Sequence, residues 1–104
     1  MSQTSDVIII GAGLIGCATA FNLGQRGLKV TVIEKGSIGA GGTGRSSAIV
    51  RQHYSNELTA RMALFGLRVF QDFDERVGGD CEFRPTGLVT IASSEDRAGM
   101  ATNV

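Results

Sequence analysis

Three glycines, Gly11, Gly13 and Gly16, stand at the spacing G-x-G-x-x-G directly after the β-branched run Val7, Ile8, Ile9 and Ile10. Glycines so placed clear backbone for a phosphate. Gly11 permits a tight turn out of the run. Gly13, lacking a Cβ, lets the backbone approach a pyrophosphate. Gly16 lets a following helix pack closely on the strand. Ala12, Leu14 and Ile15 complete the candidate binding turn. A helix beginning near Leu14 aims its free N–H groups and its positive dipole end at the anion. Glu34 stands eighteen residues after Gly16. A carboxylate there accepts hydrogen bonds from ribose hydroxyls and repels a 2′-phosphate, which argues against NADP. Lys35, beside it, joins the candidate set.

These residues need a scaffold, and the sequence supplies one. Val7–Ile10 reads as a strand buried on both faces. The helix from Leu14 places Ala20 toward the sheet and stops at Gly27. Lys29 to Ile33 forms a second strand with apolar Val30, Val32 and Ile33. A lone G-x-G-x-x-G is a weak signal. Strand before, helix after and a closing strand with a terminal acid are the context that makes it a dinucleotide fingerprint. FAD and NAD both use this βαβ unit, so the discriminating text lies downstream, in Gly36 to Tyr54. There Gly42 and Thr43, then Arg45, Ser46 and Ser47, form a small-polar loop able to curl over a pyrophosphate and offer donors to a flavin. The alternative is a flexible surface loop. Against it, the segment runs straight into apolar Ala48, Ile49 and Val50.

The remaining composition excludes more than it suggests. Ten basic and ten acidic residues give zero net charge, so there is no electrostatic footprint for nucleic acid. Cys17 and Cys81 form neither a CxxC pair nor a disulfide framework and suit a reducing compartment. Cys17 reads as a small buried hydrophobe, and Cys81 as structural. No His, Cys and carboxylate cluster has metal-ligand spacing, so no metal is expected. The apolar N-terminus has Asp6 in front and is broken by glycines, unlike a signal sequence. No run is long enough to span a membrane, so a cytoplasmic location is expected. Fifteen glycines in 104 residues is about twice the usual ~7%. Their density at Gly36, Gly39, Gly41, Gly42 and Gly44 suggests backbone close to a ligand.

The segments DVIIIGAGLIGCATAFNLGQRGLKVTVIEKG, GGTGRSSAIVRQHYSNE and FRPTGLVTIA together resemble FAD-dependent amine and amino-acid oxidoreductases of the D-amino-acid oxidase type. The similarity is to the sarcosine oxidase, dimethylglycine dehydrogenase and glycine oxidase branch. It implies FAD as cofactor and oxidation of a C–N bond in a small amine or amino-acid substrate. It also implies that Arg51 faces the flavin and pairs with a substrate carboxylate, bidentately and always charged, with Tyr54 in the same turn. Two departures stand out. Monomeric sarcosine oxidases carry a second arginine where this chain has Ala48. Dimethylglycine dehydrogenase-like enzymes carry a flavin-attaching histidine where this chain reads Arg45-Ser46-Ser47, so non-covalent FAD is expected. His53, the single histidine, reads as a helix-entry or surface residue rather than an acid or base.

Beyond the loop, Ser55 or Asn56 reads as an N-cap. Leu58, Met62, Phe65, Val69, Phe73 and Val77 then mark one apolar face of a long helix, closed by Gly78-Gly79. That face is expected to pack in a core. Glu82 to Ala92 reads as two short strands or one bulged strand, and Ser93-Ser94-Glu95-Asp96 as a helix start. The fold class is α/β: a Rossmann-like FAD-binding βαβ unit, a long helix, and the first strands of a substrate-domain sheet. Residues 1–79 are read as part of the FAD-binding domain and 80–104 as the start of a substrate-binding domain. Two strands cannot bury both faces of a doubly wound sheet. The expectation is an incomplete domain, the N-terminal part of a longer enzyme, with a partner chain as one way of completing it. The rivals are a non-catalytic dinucleotide-binding module and an NAD-dependent dehydrogenase.

Overall fold

The computed structural model of the chain describes residues 4–101. It divides into two units, residues 1–48 and 49–104.

In the first unit, β1 (Val7–Ile10), α1 (Leu14–Gly24) and β2 (Val30–Ile33) form the expected βαβ unit. The strands are parallel, with Val7 opposite Val30 and Ile10 opposite Ile33. Asp6 holds the entry edge: its carboxylate accepts the Lys29 N–H at 2.8 Å, and its own N–H donates to the Lys29 carbonyl. Alternation along β1 turns Val7 and Ile9 toward α1 and leaves Ile8 and Ile10 on the open face, where Ile10 is 88% exposed. Ile33 of β2 is exposed as well. α1 stops as the glycine pattern requires. Gly27 takes φ +83°, and the Leu28 N–H closes back onto the Leu23 carbonyl.

α1 carries no charge, and its two long polar side chains turn inward on the helix itself. Thr19 donates to the Ile15 carbonyl at 2.7 Å and Asn22 to the Ala18 carbonyl at 2.8 Å. What remains on its surface is largely apolar, including exposed Leu14 and Ile15, and a helix apolar all round is one built to be covered. Among the described residues Ala12 is the one buried apolar residue. Cys17 is exposed, contrary to the expectation of a buried thiol. α1 has the sheet on one side only, so a residue off that side stays at the surface.

In the second unit, α2 (Glu57–Gln71) is capped by Asn56, whose Oδ1 accepts the Thr59 N–H at 3.2 Å. The long helix expected through Val77 breaks at Asp72 (φ −105°, ψ 28°) and resumes as α3 (Phe73–Arg76). Replacing Asn56 with Ala is expected to cost about 1 kcal/mol of α2 stability, and with Asp little, read by helical circular dichroism on heating. The expected stripe is packed only in part, with Val69 and Phe73 half-buried. Leu58, Met62 and Phe65 are exposed, while Ala63, Leu67 and Phe70 are half-buried. Phe70 stacks on Phe83 with ring centroids 5.8 Å apart. No strand forms over Glu82–Ala92. A β-prone segment without a partner edge has no ladder to join. α4 (Arg97–Ala101) starts just after the expected signal, with the Ser93 hydroxyl accepting the Asp96 N–H. No helix among the described residues is long and apolar enough to cross a membrane.

Candidate dinucleotide-binding site

The site is built where β1 ends. The Gly11 N–H donates to the Ile33 carbonyl at 2.7 Å, the last rung joining the two strands. Gly11 then takes φ +103°, a conformation that L side chains rarely adopt, and swings the chain into α1. Gly16 shows why the third glycine is required: a Cβ there would collide with the Gly11 carbonyl oxygen. Gly13 is the N-cap of α1 and has no side-chain cap to offer. In the first turn, the amides of Ile15 and Gly16 find no acceptor among the described residues, as helix geometry dictates. They are the donors an anion would meet.

Glu34 closes the site from the end of β2. Its Oε2 accepts the Ala12 N–H at 2.8 Å and its Oε1 the Gly36 N–H at 2.9 Å. The acid is therefore bound to the glycine turn rather than standing free beside it. The Ala12 N–H, then the Gly36 N–H, hold its carboxyl below the usual carboxylate range. Partial burial opposes them, and the amide and charge of Lys35 add to the lowering. Each carboxylate oxygen keeps a further lone pair for a hydroxyl donor. Lys35 itself is exposed.

The small-polar loop comes back onto the turn at two points. The Gly39 N–H donates to the Ala12 carbonyl at 2.9 Å, and the Leu14 N–H donates to the Thr43 hydroxyl at 2.9 Å. Within the loop, the Gly44 N–H reaches the Gly39 carbonyl, the Arg45 N–H the Gly42 carbonyl and the Ser46 N–H the Thr43 carbonyl. The Ser46 hydroxyl accepts the Ala48 N–H at 3.1 Å. Arg45, Ser46 and Ser47 are exposed. The structure thus brings Gly11, Ala12, Gly13, Leu14, Ile15, Gly16, Glu34 and Thr43 into one cluster. Gly39 belongs to it too and was missed as a site residue, although the glycine clustering pointed to its neighbourhood.

Arg51 and Tyr54 belong to the second unit and form a pair there, with the Arg51 guanidinium 4.8 Å from the centre of the Tyr54 ring. A ring face fixes a guanidinium without consuming its N–H donors. Arg51 is exposed and Tyr54 half-buried. His53 is half-buried. No group of His, Cys and carboxylates that could hold a metal occurs among the described residues.

A parallel βαβ unit, a glycine turn with open helix amides and an acid at the end of the second strand together define a dinucleotide-binding half-site. Residues 6–104 match the DAO family, FAD dependent oxidoreductase, and the chain belongs to it. It is 38% identical over 92 residues to the sarcosine oxidase subunit beta of Rhodobacter capsulatus, covering 86% of this chain and 22% of that protein. It is 27% identical over 105 residues to the glycine oxidase of Geobacillus kaustophilus, covering 94% of this chain and 28% of the relative. Among solved structures, the L-amino acid deaminase of Proteus vulgaris superposes with a TM-score of 0.89 at 28% identity, over 98% of this chain and 27% of that one. The chain therefore spans about a quarter of the length of these relatives.

Proposed function

We propose that this chain is the FAD-binding part of a flavin-dependent oxidoreductase that oxidises the C–N bond of a small amine or amino acid. The observation that carries this reading is the Glu34 carboxylate hydrogen-bonded to the Ala12 N–H, which joins the acid at the end of β2 to the glycine turn. The relatives are named for sarcosine, glycine and L-amino acids, which supports a sarcosine- or glycine-like substrate.

FAD, when bound, supplies the two-electron acceptor; the chain supplies placement and electrostatics. The amides of Ile15 and Gly16 would take pyrophosphate oxygens, and Glu34 the ribose hydroxyls. Arg45, Ser46 and Ser47 would supply donors on the flavin side, and FAD would be held without a covalent bond. Arg51, held over the Tyr54 ring, would pair with the substrate carboxylate and orient the C–N bond. The FAD-binding domain takes in residues 1–79, and a substrate domain begins at residue 80. A second reading, one subunit of a split flavoenzyme, is favoured by the uncovered apolar faces of α1 and of the β1–β2 sheet.

The test is a thermal melt with FAD and with NADH, beside the visible spectrum of the purified chain. A retained flavin spectrum is expected, with a stabilisation of about 2.7 kcal/mol at FAD one hundred times its Kd. Stabilisation by NADH without FAD would overturn the reading.

A further inference from the structure

Two apolar sides run along α2. On one, Ala63, Leu67 and Phe70 are half-buried, and Phe70 meets Phe83. The other is formed by Leu58, Met62 and Phe65 with half-buried Val69, at the spacing i, i+4, i+7 and i+11 that keeps residues on one side of a helix. Leu58 is 68% exposed, Met62 65% and Phe65 66%. A seam of this width is what one facing helix covers.

The two borders of the seam differ. Arg61 and Arg68 run along one of them, each just before a seam residue. Both are exposed, and among the described residues neither forms an ion pair, whereas Arg76 is held by Asp72 at 3.2 Å. Arg68, in the last turn, suits the negative end of the helix; Arg61, toward the positive end, does not. The other border carries Thr59 and Gly66. A glycine inside a helix weakens it. Nothing lies within 4 Å of where a Cβ on Gly66 would stand, so packing within the chain does not require the gap. Bare backbone beside an exposed seam lets a second helix come close.

We propose that this side of α2 docks an acidic amphipathic helix of a partner polypeptide. The apolar residues of that helix would lie on Leu58, Met62 and Phe65, its carboxylates beside Arg61 and Arg68, and its backbone against Gly66. Charge selects this occupant over a second copy of the chain. Laid antiparallel, a second copy sets its own arginines along the same border, like charge against like. Laid parallel, it offers Thr59 and Gly66 there, and the arginines gain nothing. The inference goes beyond the flavin reading and does not depend on it.

The test uses the whole chain and a labelled synthetic helical peptide with a leucine seam bordered by glutamates, followed by fluorescence anisotropy. The same peptide with lysine for glutamate is the control. The glutamate peptide is expected to bind ~10-fold more tightly than the lysine one, and Arg61→Glu/Arg68→Glu should reverse that order. Met62→Gln should lose ~10-fold or more of the affinity, the worth of one buried methionine, with the helical circular dichroism unchanged. Gly66→Leu should weaken the peptide ~10-fold by overpacking while making α2 more resistant to heating, a pair of effects that a merely structural glycine would not give. Equal binding of the two peptides would overturn the proposal, as would unchanged binding by Gly66→Leu. Failure of the parent chain to bind the glutamate peptide would overturn it too. A dimer of the parent in sedimentation that Met62→Gln dissolves would instead assign the seam to a second copy.

Discussion

Gly16→Ala is expected to lower FAD affinity by about 100-fold, the equivalent of roughly 3 kcal/mol of overpacking against backbone that cannot yield cheaply. The cause is local. A single methyl at Gly16 would collide with the Gly11 carbonyl oxygen, and it would also come within 3.5 Å of Ile9 Cγ2. Relief requires α1 to lift from β1, which moves the first-turn amides away from the phosphate position. Gly24→Ala is the matched control. Nothing lies within 4 Å of a Cβ there, so this change in the last turn of α1 should leave FAD affinity unchanged and cost no stability. Flavin fluorescence titration of both variants decides the matter. Equal behaviour of the two would mean that helix–strand closeness does not control the site.

Glu34→Gln is expected to weaken FAD by at least ~10-fold, since the amide keeps one acceptor oxygen where the carboxylate has two. Either the Ala12 N–H or the Gly36 N–H then faces an NH₂ group instead of an oxygen. The pH dependence has a definite sign. The Glu34 carboxyl titrates below its ordinary value because these backbone N–H groups favour its charged form. Its contribution is complete above the ordinary carboxylate range and is lost as pH falls through the lowered value. FAD affinity of the parent should therefore be flat from about pH 8 to about pH 5 with respect to this group, and fall in the acid range below. Glu34→Gln should start lower and lack that acid limb. An acid limb of equal size in the variant would assign it to another group.

The βαβ unit was legible almost to the residue. Strand, glycine turn and helix are written in short-range patterns, and α1 begins at Leu14 where the spacing puts it. The site was legible as far as chemistry follows from type and position, as with Gly16 and Glu34. Thr43 was nameable as part of a polar loop, but its bond to the Leu14 N–H is a tertiary event that no periodicity encodes. The stripe Leu58, Met62, Phe65, Val69, Phe73 and Val77 held only at Val69 and Phe73, for a related reason. Periodicity marks an apolar face without saying what covers it, and here Phe70 stacks on Phe83 while Leu58, Met62 and Phe65 stay exposed. Glu82–Ala92 has strand-like composition, yet a strand is a relation between two segments, and among the described residues none pairs with it.

The open face of Ile8, Ile10 and Ile33 is expected to set how the purified chain behaves in a test tube. Three isoleucines side by side on a twisted pair of strands make the kind of surface that holdase chaperones capture from nascent chains. Sulfate and other excluded salts will drive two such surfaces together, and chilling will loosen them, because the drive to hide alkyl groups weakens as water cools. Preparations should therefore stay clearer at low ionic strength in the cold, and cloud reversibly when warmed in ammonium sulfate.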